Sequence, residues 1–157
     1  MIIDDHEIVR RGIAEIVDRD DALEVVAEAG SVADAVRRAD LVRPDVILVD
    51  LQLPDGTGID IMNRLRSSHP QILPVVLTSF DDDEAMRTAL DRKANGFLLK
   101  DSSAEEVVRA VIAAHHGGTT ISPATTSRLV SQYLRPVPSS RPGVTEAEQA
   151  VLDLLCE

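Results

Sequence analysis

The chain has one cysteine, no tryptophan, one tyrosine and two phenylalanines in 157 residues. A single thiol, Cys156, cannot build an intramolecular disulfide framework, and such sparing use suits a reducing cytosol. Aromatic residues are 2% of the chain against 44% apolar, so the core must be assembled from Val, Leu, Ile and Ala. Positive charge is also scarce: 16 Lys and Arg face 27 Asp and Glu, for a net charge of −11. A nucleic-acid binder normally presents a basic face, so these residues alone are not expected to form one. No apolar stretch approaches the ~20 residues that a membrane-spanning helix needs. The amino terminus passes directly from an apolar segment into acidic residues, without the pattern of a signal peptide. The expectation is a cytoplasmic protein with no membrane association.

What is present is a set of short apolar runs that end in polar residues. The most apolar, Val46-Ile47-Leu48-Val49, ends at Asp50 and is followed by Leu51-Gln52-Leu53-Pro54-Asp55-Gly56. A continuous apolar run of this length reads as a strand buried on both faces, the mark of a parallel sheet covered by helices. Pro54 and Gly56 then turn the chain. Strands are expected at about 1–4, 24–28, 45–50, 73–78 and 96–100. Helical spacing occupies 6–18, 32–42, 58–68, 83–93 and 104–116. In the first helix Ile8, Ile13, Ile16 and Val17 are read as the inner side, with Arg10, Arg11 and Glu15 facing away. Ser31 caps the second helix, with Asp34 at the capping-box position. Ser103 and Glu106 form a capping box for the fifth, and Gly117-Gly118 ends it. Five strand-then-helix repeats imply right-handed crossovers and helices on both faces. The fold class is α/β: a flavodoxin-like, doubly wound, five-stranded parallel sheet over about 1–117.

The rest of the chain differs in character. Residues 118–143 read as a linker containing a helix at about 122–135, capped by Ser122 with Pro123 in its first turn. The stretch 136–143 is rich in Pro and Ser and lacks periodicity. Thr145-Glu146-Ala147-Glu148 then opens an amphipathic helix carrying Val151, Leu152, Leu154 and Leu155, within a segment 144–157. One such helix cannot bury its apolar side alone, so it needs a cover from the preceding domain, a second chain or further residues.

The strand ends carry the chemistry. Asp4 and Asp5 end the first run, Asp50 the third, Thr78 the fourth and Lys100 the fifth. Ligands of open α/β sheets sit at the carboxyl ends of the strands. Asp4, Asp5 and Asp50 make an oxygen-only set suited to Mg²⁺, which needs only one or two carboxylates beside a carbonyl and water. Lys100 is a compact cation for phosphate oxygens, and Thr78 offers a hydroxyl. Small Ser79 leaves room for a group on Asp50. Together these are the parts that transfer of a phosphoryl group onto a carboxylate requires. Taken singly, each has a plainer reading: Asp4-Asp5 as helix caps, Asp55-Gly56 as a turn, Thr78 as an ordinary strand residue and Lys100 as a solvated strand end. The joint arrangement at four strand ends is what favours chemistry. His6, His69, His115 and His116 share no metal-binding spacing and read as surface residues. Asp81 to Glu84 read as a solvated helix start, where negative charge also suits the dipole.

The segments Ile3-Asp4-Asp5-His6-Glu7, Val49-Asp50-Leu51-Gln52-Leu53-Pro54-Asp55-Gly56, Leu77-Thr78-Ser79 and Leu99-Lys100 resemble the motifs of two-component response-regulator receiver domains. The resemblance implies that Asp50 is the phospho-acceptor. It implies that Asp5 binds Mg²⁺ directly and Asp4 through water, with the Gln52 carbonyl as a further ligand. Thr78 and Phe97 would be the switch pair, and Lys100 would contact the phosphoryl group. Two features depart from the family. Asp101 follows Lys100 in place of the common proline, so a cis-proline turn is not expected there. The first strand is short, as if a few amino-terminal residues were absent. The stretch Val144 to Leu152 is similar to the start of the LuxR-type helix-turn-helix of NarL/FixJ regulators, although Ala147 and Ala150 replace the usual Arg and Glu. Asp4 to Gly12 also resembles that subfamily, particularly its actinobacterial members. The helices that read a major groove would follow Glu157, so the chain as given is not expected to bind DNA itself.

These readings give a two-component response regulator that accepts phosphate on Asp50 from a sensor histidine kinase and controls a DNA-binding output, with dimerisation on activation. It is not expected to be an enzyme beyond self-phosphorylation and self-dephosphorylation. Two alternatives stand beside it. One is a stand-alone receiver acting through protein contacts, which the linker and the Thr145 helix disfavour. The other is a Mg²⁺-dependent phosphohydrolase with Asp50 as nucleophile. That class resembles an Asp-x-Asp pattern, and here Gln52 takes the place of the second Asp.

Overall fold

The apolar run before Asp50 becomes the central strand, and every one of its residues is buried. The computed structural model describes residues 1–79, 88, 89, 91–121, 123, 126 and 127. In chain order the strands are β1 (Ile2–Ile3), β2 (Glu28–Ala29), β3 (Val46–Asp50), β4 (Gln52–Leu53), β5 (Gly56–Thr57), β6 (Leu73–Thr78), β7 (Gly96–Leu99) and β8 (Thr120–Ile121). The helices are α1 (Glu7–Val17), α2 (Val32–Val42), α3 (Gly58–Ser68) and α4 (Ala104–His115). The main sheet runs β2-β1-β3-β6-β7-β8, and each of its pairings is parallel. β4 and β5 form a separate antiparallel pair just after Asp50.

Strand alternation sends side chains to two apolar layers. Ile3, Ile47, Val49, Val76 and Phe97 pack with Ala35 and Ala39 of α2 and Ile61, Met62 and Leu65 of α3. Ile2, Leu48, Val75, Leu77 and Leu98 pack with Ile13, Ala14 and Val17 of α1 and Val107, Ala110 and Ala114 of α4. The doubly wound α/β architecture is therefore as expected, and its core is aliphatic apart from Phe97.

Several details differ. The sheet has six strands among the described residues, not five. The sixth, β8, is too short to show periodicity in sequence; it fits because Gly96 faces it. A Cβ on Gly96 would lie 3.2 Å from the Thr120 carbonyl oxygen and 3.1 Å from Val75. The strand expected at 24–28 joins the ladder only at Glu28–Ala29, because β1 offers just two residues to pair with. Lys100 lies in the turn after β7 rather than in the strand.

Ile8 is not on the inner side of α1: it is 89% exposed, and Val9 packs inward in its place. At 100° per residue, Val9, Ile13 and Val17 lie in one row of i+4 steps, whereas Ile8 lies well off it. Arg10 does not face away either, as described below. Ser31 caps α2 as expected, accepting from the Asp34 N–H at 3.2 Å. The Asp34 carboxylate does not complete the box; it binds Arg37 and Arg38 one turn on. The Ser103–Glu106 box of α4 is complete. That helix ends at Gly117, which takes the left-handed conformation (φ 77°).

The helix expected at 83–93 falls largely outside the described residues, as does the acidic run 81–84. So do the helix at 122–135, apart from three positions, the linker stretch 136–143, the Thr145 helix and Cys156. Among the described residues no helix is long and apolar enough to cross a membrane.

Candidate functional site

Neighbouring strands β1, β3, β6 and β7 end at one edge, and that edge gathers Asp4, Asp50, Thr78 and Lys100. Asp50 is buried in a sheet whose faces are covered, and burial raises its carboxyl above the usual carboxylate range. The Lys100 ammonium opposes that shift and the nearby Asp4 charge adds to it. Lys100 Nζ lies 2.7 Å from Asp50 Oδ2 and 2.9 Å from Asp4 Oδ2, so one cation bridges two buried carboxylates. For Lys100 burial works against the charged form, but the hydrogen bonds to Asp50 and Asp4 outweigh it and the ammonium is held above its ordinary range. Asp50 Oδ1 accepts from the Gln52 N–H at 3.3 Å.

The backbone at each strand end is fixed by specific contacts. Asp4 is fully buried; its Oδ1 accepts from the His6 N–H at 2.8 Å, and its carbonyl accepts from Arg10 Nη1 at 2.7 Å. Arg10 Nε reaches Glu28 at 3.2 Å, which ties α1 across β1 to β2. The Lys100 N–H donates to the Thr78 carbonyl at 3.0 Å. Leu99 and Ser102 close the next turn reciprocally: the Leu99 N–H donates to Ser102 Oγ, and the Ser102 N–H donates to the Leu99 carbonyl. This turn needs no proline, and no cis peptide bond occurs among the described residues.

The loop after Asp50 is held from two sides. Asp55 accepts from the Val32 and Ala33 N–H groups at 2.7 and 3.0 Å, so it caps α2 from outside that helix. These bonds hold its carboxyl below the usual range. Gly58 opens α3 and donates its N–H to the Leu51 carbonyl at 3.0 Å. There the α3 backbone crosses so close to Asp50 that a side chain on Gly58 could not fit.

Of the residues read from sequence, Asp4, Asp50 and Lys100 are in direct contact, and Asp5 and Gln52 border them. Thr78 is buried at the end of β6, and Phe97 is buried one strand over, its Cα in register with Val76 and Ile121. Ser79 is exposed. Reading the sequence did not single out His6, Arg10, Asp55 or Gly58 as parts of this edge. His6 stands against it: its Nδ1 is 2.7 Å from Asp5 Oδ1 and 3.4 Å from Asp4 Oδ1. Adjacency to Asp4-Asp5 was its only sequence signal. Nothing local in the sequence marks Arg10, whose partners come from two other elements.

A divalent cation fits these residues. Asp4, Asp5, His6 and Asp50 each bring one ligand atom within 4.8 Å of the others. Asp4 Oδ2 is buried, its partner being the Lys100 ammonium at 2.9 Å. A cavity of about 560 Å³ lies elsewhere, lined by Val17, Leu23, Val46, Val111 and His115, and includes none of these residues.

Comparison with known proteins agrees with this geometry. Residues 1–112 match the model of the response regulator receiver domain. The DNA-binding transcriptional activator DevR/DosR of Mycobacterium tuberculosis is 38% identical over 99% of this chain and 73% of its own length. The transcriptional regulatory protein LnrK of Bacillus subtilis is 33% identical over 98% of this chain and 70% of its own. The crystal structure of a two-component response regulator of the LuxR family from Aurantimonas sp. SI85-9A1 superposes with a TM-score of 0.78 at 28% identity, covering 86% of this chain and 96% of that one. The chain thus belongs to the two-component response regulators, and its first 112 residues are a receiver domain.

Proposed function

We propose that Asp50 is the phospho-acceptor of a response regulator that controls transcription, and that a sensor histidine kinase supplies the phosphoryl group. The observation that carries this reading is the Lys100 ammonium in contact with Asp50 at 2.7 Å, beside the buried Asp4 carboxylate. A carboxylate oxygen of Asp50 attacks phosphorus, the bond from phosphorus to the donor's imidazole nitrogen breaks, and the nitrogen retains the electron pair. The product is an acyl phosphate. Its later attack by water returns the carboxylate and releases inorganic phosphate.

The chain's residues have separate tasks in that step. Lys100 holds a phosphoryl oxygen once Asp50 has traded the ammonium for phosphorus. Thr78 donates its hydroxyl to another oxygen. Asp5, with Asp4 behind it and the Gln52 carbonyl beside it, would hold Mg²⁺. Bound there, the ion neutralises charge on the phosphoryl oxygens. Phosphorylation adds roughly −2 of charge and three acceptor oxygens. Thr78 moves toward them, and Phe97, whose side chain is already buried here, is the other member of the switch pair. The response is dimerisation and a changed DNA-binding output; the name of one transcriptional relative, a DNA-binding activator, supports the second of these.

The test is to incubate the chain with a small phosphodonor and Mg²⁺ and to measure intact mass. One phosphate adduct is expected, lost in Asp50→Asn. An adduct that persists in that variant overturns the assignment. Asp5→Ala should weaken Mg²⁺ binding more than Asp4→Ala, since only Asp5 is assigned to touch the ion. Multiple turnover of a phosphate ester would instead favour a phosphohydrolase.

A further inference from the structure

We propose that His6 is a nitrogen ligand at the cation site, so that the site takes a borderline transition ion such as Mn²⁺, Co²⁺ or Ni²⁺ more tightly than Mg²⁺. The inference rests on the reading of this edge as a divalent-cation site. Mg²⁺ prefers oxygen donors, whereas imidazole strengthens binding of the later first-row ions. One neutral nitrogen among carboxylates is therefore enough to change the order of preference.

Three observations support it. A ring nitrogen of His6 belongs to the set of ligand atoms with Asp4, Asp5 and Asp50, all within 4.8 Å of one another, and its Nδ1 is 2.7 Å from Asp5 Oδ1. Two bonds of about 2.0–2.2 Å to one ion span nearly that distance, so small side-chain rotations suffice. Second, the backbone of His6 is fixed while its ring is uncommitted to the helix. Its N–H is held by Asp4 Oδ1, and although it stands at the N-cap of α1, its side chain makes no capping bond. The ring is 67% exposed and turns without disturbing the core. Third, Asp4 is fully buried, and its Oδ2 contacts Lys100 Nζ at 2.9 Å. A cation among these groups would meet a buried carboxylate inside and an exposed imidazole outside. The Asp5–His6 contact of 2.7 Å brings together two side chains that are each common metal ligands.

The experiment titrates the whole chain with MgCl₂ and with NiCl₂ by calorimetry, and records pulsed EPR of the Mn²⁺-loaded chain. Each is done for the wild type, His6→Gln, His6→Asn and Asp5→Asn, in the same buffer at about pH 8. The expected result is a Ni²⁺ affinity that falls about tenfold or more in both His6 variants, with little change for Mg²⁺. A nitrogen coupling to Mn²⁺ should be present in the wild type and absent in His6→Gln. Circular dichroism melts confirm that each variant is folded.

Coupling that survives in His6→Gln would come from another histidine, such as the His115 and His116 pair away from this edge, and would overturn the proposal. So would equal Ni²⁺ affinity in wild type and His6→Gln. In those cases Mg²⁺ binding and Asp50 phosphorylation persist, and only the role of His6 fails. If neither ion binds the wild type, the cation reading of the site fails too.

Discussion

A Cβ placed on Gly58 would lie 2.3 Å from the carbonyl oxygen of Asp50, a distance no side chain tolerates. The start of α3 is therefore pressed onto the end of β3, and the absence of a side chain at one position sets the backbone of the proposed acceptor at another. Gly58→Ala should force these two backbones apart. Overpacking of this kind costs about 1–3 kcal/mol. The expected outcome is a lower melting temperature and slower phosphorylation by a small donor, measured by calorimetry and by intact mass. Unchanged rate and melting temperature would show that the loop absorbs the methyl group.

Asp50→Asn should make the protein more stable at neutral pH. Burial raises the Asp50 carboxyl above its unfolded value, even with Lys100 in contact. A group whose folded pKa is raised favours folding while protonated, and that advantage is lost as pH rises through the folded value. At neutral pH the ionised carboxylate is thus a cost that the amide avoids. Thermal melts should show the variant above the wild type near pH 7. The gap should shrink as pH falls toward the ordinary aspartate value of 3.8, where both states bind the proton. A gap that widens in acid would contradict this account.

Lys100→Met should have the opposite sign. Lys100 is only 15% exposed and contacts both Asp50 and Asp4. Removing it leaves two buried carboxylates without their cation, a change that typically costs about 3–5 kcal/mol for a fully buried pair. Mg²⁺ at millimolar concentration should restore more stability to Lys100→Met than to the wild type, because a divalent ion replaces the missing charge. Differential scanning fluorimetry across a Mg²⁺ series measures the difference. Equal shifts in both proteins would argue against a shared cation and ammonium site.

The parts of this site legible in the sequence are those that sit at the ends of apolar runs. Asp50 follows four buried aliphatic residues, and Asp4, Thr78 and Lys100 stand at comparable points, so strand prediction alone aligns them. The Ser103–Glu106 box was legible for the same reason: its partners are three residues apart. What escaped depends on contacts between distant segments. Arg10 reads as a solvent-facing helix residue until β1 brings the Asp4 carbonyl within 2.7 Å of it. Asp55 reads as a turn residue until α2 presents its free N–H groups. Ile8 misled because it is apolar, although its angular position places it off the buried row. β8 escaped because two residues carry no period; only the missing side chain of Gly96 makes room for it.

That sixth strand gives the last prediction. Phe97 lies on β7, whose neighbours are β6, ending at Thr78, and β8, ending at Ile121. The last described strand, β8, therefore lies directly beside the strand that carries Phe97. If Thr78 and Phe97 form the switch, β8 is the shortest mechanical route from Asp50 to whatever follows. The Thr120 N–H donates to the Asn95 carbonyl at 3.2 Å, and Thr120→Pro removes that donor from an edge strand, where the core is not disturbed. Phosphorylation of Asp50 should proceed at the wild-type rate in Thr120→Pro and should remain possible in Thr78→Ala. In both variants, phosphorylation-dependent dimerisation should be lost or much reduced, as read by sedimentation velocity with and without phosphodonor. Dimerisation at wild-type level in Thr120→Pro would mean that the signal leaves by another surface. Complete loss of phosphorylation in Thr78→Ala would make Thr78 indispensable to the transfer and contradict its part as chiefly a readout residue.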